Sequence, residues 1–278
     1  MPAVPQILSE FQVHSDIDST ILVSIWELGE GVGPFFIGPL SERYGRQPVY
    51  HIGNVLFILC SVASALSVNL AMLMIFRFLN GFVITALTLG PSIVGDLFRK
   101  EERGAAMAVA IAFPLIGPFC APIIGGFVAQ DKGWRWTIWI VVIAVGAVSL
   151  LSLALFRETY QVKILERKAE RLRKSTGNGL LRSKHQNDVD SGSLAKTMLR
   201  PAKLLFRSPI VFIISFYTAF VYGLSYLILT TLTEVMQSNY GFSTSAVGLT
   251  FLGRGESLLK SLSLILKCLL TFCSYRDT

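Results

Sequence analysis

Gly38-Pro39-Leu40-Ser41-Glu42-Arg43-Tyr44-Gly45-Arg46 is a polar run set between two long apolar segments. A pair of membrane helices needs such a connection where the chain leaves the bilayer and re-enters it. Glycine lets the backbone reverse and pack closely, and charges hold the turn in the aqueous interface. Two glycines here stand seven residues apart around the acid–base pair Glu42 and Arg43, and the run closes on a second arginine. The pattern predicts a helical hairpin that turns over Gly38–Arg46.

The composition agrees. Hydrophobic residues make up 52% of the 278-residue chain and charged residues 15%, with 19 Phe. A soluble domain of this length fills its core with less, so lipid is part of the solvent. The net charge of +7 invites a nucleic-acid partner, but 13 of the 25 Lys and Arg fall between Arg157 and Arg207. They form one loop rather than a patch on a folded domain, which argues against nucleic acid. Cys60, Cys120, Cys268 and Cys273 lie in apolar stretches without metal-ligand spacing and read as packing or lipid-facing residues. His14, His51 and His185 are too dispersed for a metal set or a catalytic triad, and the Gly-rich pieces lack a Walker lysine. Neither an enzyme nor a metal or organic cofactor is expected. Met1-Pro2-Ala3-Val4-Pro5 lacks the basic and apolar regions of a cleavable signal peptide, so insertion is expected to rely on the spans.

Crossing about 30 Å of hydrocarbon takes about 20 apolar residues in a helix. Six segments qualify: Thr20–Leu40, Val49–Leu70, Ala71–Val94, Ala105–Ala129, Thr137–Phe156 and Pro209–Leu232. Only Ser67-Val68-Asn69 separates the second from the third. If all span, the basic residues of the turns at Glu42–Arg46 and Arg99–Arg103 and of the loop after Phe156 share one side. That side carries 18 against two, Lys132 and Arg135, on the other, and is expected to be cytoplasmic. Arg157–Lys174 reads as an amphipathic helix and Ser175–Ser193 as a flexible polar segment. The helix either rests on anionic lipid headgroups or belongs to a solvated linker. Ser257–Cys273 is long enough to span, but Lys260 and Lys267 make its insertion marginal.

Several residues suggest chemistry. Arg77 lies inside the third segment, four residues before Gly81, where a charge is expensive and therefore a functional candidate. Glu27 and Glu30, three apart in the first segment, share a helical face. A carboxyl group buried without a partner can exchange a proton near neutrality; the alternative is that both sit near an interface and are hydrated. Gly117-Pro118, Ala121-Pro122 and Gly125-Gly126 suit close helix approach and local bending. Asp96 and Arg103 bracket another charged turn, and Gly133-Trp134-Arg135-Trp136-Thr137-Ile138-Trp139 reads as an aromatic interfacial anchor.

Taken in order, these motifs resemble those of the major facilitator superfamily, in its drug:proton antiporter branch, over about residues 1–253. Gly38–Arg46 is similar to the loop between that family's second and third spans, with Glu42 in place of Asp and Gln47 in place of the last basic residue. Arg77-Phe78-Leu79-Asn80-Gly81 resembles the fourth-span motif associated with proton coupling. Gly117, Ala121, Pro122, Gly125 and Gly126 resemble the fifth-span antiporter motif, with Ala121 replacing a glycine.

The resemblance implies an all-α polytopic membrane protein, a helical bundle that alternates access around a midplane site. It would export small amphipathic compounds or drugs, driven by the proton gradient. Arg77, Glu27 and Glu30 would couple protons, while Gly38, Glu42, Arg43, Gly45, Arg46, Asp96 and Arg103 would form the gating loop. Its partners would be a small-molecule substrate and the lipid bilayer, and its location the plasma membrane.

The resemblance also implies an incomplete bundle of about six complete spans, because only one precedes the Gly38–Arg46 loop. Residues 1–156 would form the N-terminal bundle with the tail of a first span. Residues 157–208 would be a cytoplasmic loop, 209–253 the start of the C-terminal bundle and 254–278 a divergent tail. Most of the second half is then expected either from further sequence or from another chain; the alternative is a non-transporting membrane fragment with an interaction or regulatory role.

Overall fold

The computed structural model describes residues 3–12, 16–177, 201, 203–238, 240–243 and 246–247. A short helix, α1 (Val4–Glu10), opens the chain. It is followed by α2 (Asp16–Tyr44), α3 (Arg46–Ala65), α4 (Leu70–Phe82), α5 (Thr85–Leu97) and α6 (Arg103–Lys132). After these come α7 (Trp134–Leu155), α8 (Gln161–Thr176) and α9 (Pro209–Ser238). Among the described residues five stretches are long and apolar enough to cross a membrane: Ile17–Tyr44, Arg46–Ala65, Leu70–Leu97, Trp134–Leu155 and Pro209–Ile228. The remaining predicted span, Ala105–Ala129, lies within α6, whose 30 residues extend about 45 Å. The predicted marginal segment Ser257–Cys273 lies outside the described residues.

The structure changes two of the predicted boundaries. The nine-residue turn is in fact one residue long: α2 runs through Gly38 to Tyr44, and α3 begins at Arg46. Gly45 alone reverses the chain, at φ 104° and ψ 159°, a region that is essentially glycine-only. Polar residues 41–44 are competent helix formers, so a charged sequence did not require a loop. The predicted third span is also divided, at Val83 and Ile84, between α4 and α5. The break follows Gly81 and coincides with the β-branched run Val83-Ile84-Thr85, whose side chains are stiff and weakly helix-favouring.

The described residues cluster into two compact units, one drawn from 1–20, 98–140 and 227–247, the other from 21–97, 141–177 and 201–226. In the second unit α3 and α4 are joined by the short connection anticipated at Ser67–Asn69. Asn69 caps α4 by accepting a 2.7 Å hydrogen bond from the Met72 amide. Between these helices the buried Asn80 accepts from Ser61 Oγ at 3.2 Å and donates to Ser64 Oγ at 3.4 Å. Such pairs satisfy polar groups that hydrocarbon cannot solvate. Thr85 Oγ1 donates to Asn54 Oδ1 at 3.2 Å and links α5 to α3.

Helices α2 and α4 approach backbone to backbone. A Cβ added at Gly29 would strike the Phe78 carbonyl, one at Gly33 the Phe82 carbonyl, and one at Gly81 the Trp26 carbonyl. No side chain fits these positions, so glycine sets the spacing. At Gly117 and Gly125 a Cβ would meet nothing within 4 Å among the described residues.

In the first unit α1 is tied to the start of α7. Trp134 Nε1 donates to Glu10 Oε2 at 2.6 Å, Arg135 pairs with the same carboxylate, and Phe11 packs edge-on against the Trp134 ring at 6.0 Å. Trp134 is buried. Hydrogen bonds from Arg135 and Trp134 hold the Glu10 carboxyl below its usual range. A depressed folded-state pKa contributes stability above the unfolded value, and that contribution is lost as pH falls through the folded value. With Trp26, Trp136 and Trp139 replaced by Phe, Trp134 emission is expected to shift to the red as pH drops below about 4. Glu10→Gln should abolish this transition, and emission that does not respond to pH would contradict the tie.

Candidate gating and transport site

Three groups of predicted residues find places in the second unit. The first surrounds Gly45. Arg46, 6% exposed, extends its guanidinium to Asp96 at the end of α5 (Nε to Oδ2, 3.2 Å) and to Ser41 Oγ (2.5 Å). The Tyr160 ring lies 5.2 Å from the same guanidinium. Burial, then the nearby Glu42 carboxylate, pushes the Tyr160 phenol up, so it stays protonated and neutral beside the arginine.

The Glu158 carboxylate serves the turn from the other side. It accepts from the backbone amides of Arg46 (2.9 Å) and Gln47 (3.4 Å), and from those of Thr159 and Tyr160 (3.1 Å each). The first two are orphan donors of the first turn of α3, so Glu158 caps that helix from more than a hundred residues away. Gln47 Nε2 donates to the Phe156 carbonyl at 3.0 Å and completes the junction. A Cβ at Gly45 would fall on the Glu158 carboxylate, so this glycine is required by backbone conformation and by space.

Other members of the predicted loop are elsewhere. Gly38 stays helical, with its carbonyl accepting from Ser41 Oγ at 2.7 Å. Glu42 and Arg43 are exposed on the last turn of α2, the Arg43 guanidinium 5.9 Å from the Tyr44 ring. Arg103 opens α6 in the other unit and is exposed.

The second group is Arg77. It lies on α4 inside a spanning stretch, and its Nη1 donates to the Leu22 carbonyl of α2 at 3.0 Å. Gly81, one turn on, lies against Trp26, one turn on from Leu22. The arginine and glycine of the predicted motif therefore contact α2 in parallel register. The third group is Glu27, half-buried on α2, whose carboxylate is hydrogen-bonded to the Tyr226 side chain of α9. Glu30 and Tyr222 lie near enough to act on it or on Tyr226 electrostatically.

On α6, Gly117 and Ala121 are exposed, Pro122 and Gly125 half-buried and Gly126 buried. Among the described residues no cluster of His, Cys, Asp or Glu is arranged to hold a metal. Cys60 and Cys120 are free thiols, and His14, His185, Cys268 and Cys273 lie outside the described residues. The sequence pattern assigns no individual role to Ser41, Glu158, Tyr160 or Tyr226, although Ser41 lies within the Gly38–Arg46 run and Arg157-Glu158-Thr159-Tyr160 continues the family resemblance past α7. Tyr226 is one aromatic among many on α9.

Stacked apolar helices around buried polar contacts define an integral, multi-pass membrane protein. The family model of the Major Facilitator Superfamily matches residues 1–256, and the chain belongs to that family. It is 44% identical over 260 residues to the efflux pump radE of Floropilus chiversii, covering 93% of this chain and 48% of that one. It is also 44% identical over 270 residues to the MFS-type transporter penM of Penicillium rubens, covering 95% and 52%. The chain thus spans about half the length of these curated relatives. Among solved structures, the inward-open xylose transporter XylE of E. coli matches 74% of this chain and 52% of its own. That match has a TM-score of 0.50 and 20% identity, a likeness of fold alone.

The two glycines of the loop should respond oppositely to alanine. Gly45→Ala is expected to lower unfolding stability in detergent by about 1–3 kcal/mol, from its backbone conformation alone. Gly38→Ala, in an open helical position, should be neutral or stabilise by about 0.5–1 kcal/mol. Equal effects at the two positions would refute the one-residue turn.

Proposed function

We propose that the protein works in proton-coupled export of small amphipathic compounds by alternating access. The observation that carries this reading is Arg77, a guanidinium within a membrane-spanning stretch that bonds a backbone carbonyl of α2. An arginine so placed can draw a carboxylate or an anionic substrate group when the helices shift, and release it to a carbonyl when they return. Glu27, with Tyr226 donating to it, and Glu30 are the carboxylates that would load and release protons. The proton gradient would be the energy source, with no bound cofactor.

In this reading the Arg46 cluster is a latch. It holds the ends of α2, α3, α5 and the α7–α8 junction together in one state and would open in the other. Residues 157–208 and the basic turns would face the cytoplasm, consistent with their excess of Lys and Arg, and the membrane would be the plasma membrane. Residues 1–156 would form one bundle and 209–253 the start of a second. Alternation needs a complementary half-bundle, supplied by further sequence or by a second chain. The efflux pump among the protein's relatives supports export over uptake.

The test is efflux of a fluorescent amphipathic dye from vesicles under an imposed proton gradient. Arg77→Ala is expected to abolish gradient-driven efflux while leaving the protein inserted, and unchanged efflux would remove Arg77 from the mechanism. A wild-type chain that moves no dye even when the complementary half-bundle is supplied would favour the non-transporting reading.

A further inference from the structure

Helix α8 is rooted at the membrane boundary and points its own charges outward. The spanning stretch of α7 ends at Leu155, and α8 begins after five intervening residues. Those five residues are not slack. The Phe156 carbonyl is held by Gln47, Glu158 by the amides that open α3, and Tyr160 by the Arg46 guanidinium. The first turn of α8 is therefore fixed beside the ends of two spans, at the depth where hydrocarbon gives way to headgroups.

The sequence of α8, Gln161–Thr176, carries six basic and two acidic side chains. At 100° per residue Val162, Leu165, Ala169 and Leu172 fall on one stripe. The side of the helix marked by Val162, Glu166, Ala169 and Arg173 is half-buried. The adjoining side is open: Leu165 is 45% and Leu172 44% exposed, and Ile164 43%. Lys163 pairs with Glu166 and Lys174 with Glu170, which consumes both acids. Among the described residues no ion pair engages Arg167, Lys168 or Arg171, and all three are exposed.

The open side thus offers apolar side chains interleaved with unneutralised cations. Water suits the cations but not the leucines, and hydrocarbon suits the leucines but not the cations. An anionic headgroup layer, with acyl chains just beneath, suits both.

We propose that α8 lies on the membrane leaflet at which α7 ends, with Leu165 and Leu172 inserted below the headgroups and Arg167, Lys168 and Arg171 bound to anionic lipid. The surface would make the Arg46 junction sensitive to lipid charge, because α8 and the latch share Tyr160 and Glu158. This consequence rests on the proposed latch, but the lipid contact itself does not.

The test is amide hydrogen exchange of residues 161–176 in the full chain, reconstituted in nanodiscs of phosphatidylcholine alone or with phosphatidylserine. Protection is expected to rise about tenfold with the anionic lipid and to fall back at high salt. Lys168→Glu with Arg171→Glu should abolish the rise, and Leu165→Ser with Leu172→Ser should reduce protection in both lipids. Exchange over residues 54–65 of α3, away from the Arg46 junction, serves as the control for folding and should not change. Equal protection in neutral and anionic nanodiscs would overturn the proposal, as would a rise that survives the charge reversal. Either result would point instead to another protein segment covering α8. Efflux assays play no part in this measurement, so its failure and that of the transport reading are separable.

Discussion

A guanidinium taken out of water must be paid for by its neighbours, and four residues distant in sequence or on other elements gather around Arg46. Asp96 supplies the countercharge, Ser41 a hydroxyl acceptor, and Tyr160 an aromatic face. Glu158 occupies the amides just behind. Removing one partner from a buried pair costs roughly 3–5 kcal/mol, because the other charge is left without compensation. Asp96 retains about a fifth of its side-chain exposure, which moves this pair toward the lower figure. The cluster cannot loosen one contact at a time without stranding a charge. In the proposed latch, this would favour opening as a unit over stepwise loosening.

The one-residue turn follows from the same constraint. Arg46 is the first residue of α3, so its side chain and its backbone amide both address the cluster. Only a glycine at 45 leaves space for the Glu158 carboxylate while reversing the chain. The small core beside it, Ile37, Val49 and Leu89 with Tyr50 and Ile93, then packs three helices at the same level. Deeper in the span the constraint changes from charge to distance. Gly29, Gly33 and Gly81 let α2 and α4 touch by their backbones, which brings Arg77 within reach of the Leu22 carbonyl. A wider spacing would leave that guanidinium without its carbonyl partner.

Much of this was legible in the sequence. The spans showed as runs of apolar residues, the family as the order of Gly38–Arg46, Arg77–Gly81 and Gly117–Gly126, and the α3–α4 connection as three polar residues. What was not legible has physical reasons. Whether charged residues such as Glu42 and Arg43 lie in a loop or on a last helical turn depends on where the backbone can reverse, and composition is silent on that. Helix approach through glycine needs a partner at the right height. Gly29 and Gly81 have one, and Gly117 and Gly125 have none among the described residues. Glu158 and Tyr226 act on residues more than a hundred positions away, and no local spacing encodes such a partnership.

The central claim is that Arg46 and Asp96 are energetically one unit. A double-mutant cycle with Arg46→Met, Asp96→Asn and the pair, read by unfolding in detergent, tests it most directly. The double variant is expected to be more stable than the sum of the single losses implies, by about 0.5–3 kcal/mol. Losses that add to within about 0.5 kcal/mol would show two independent residues and contradict it.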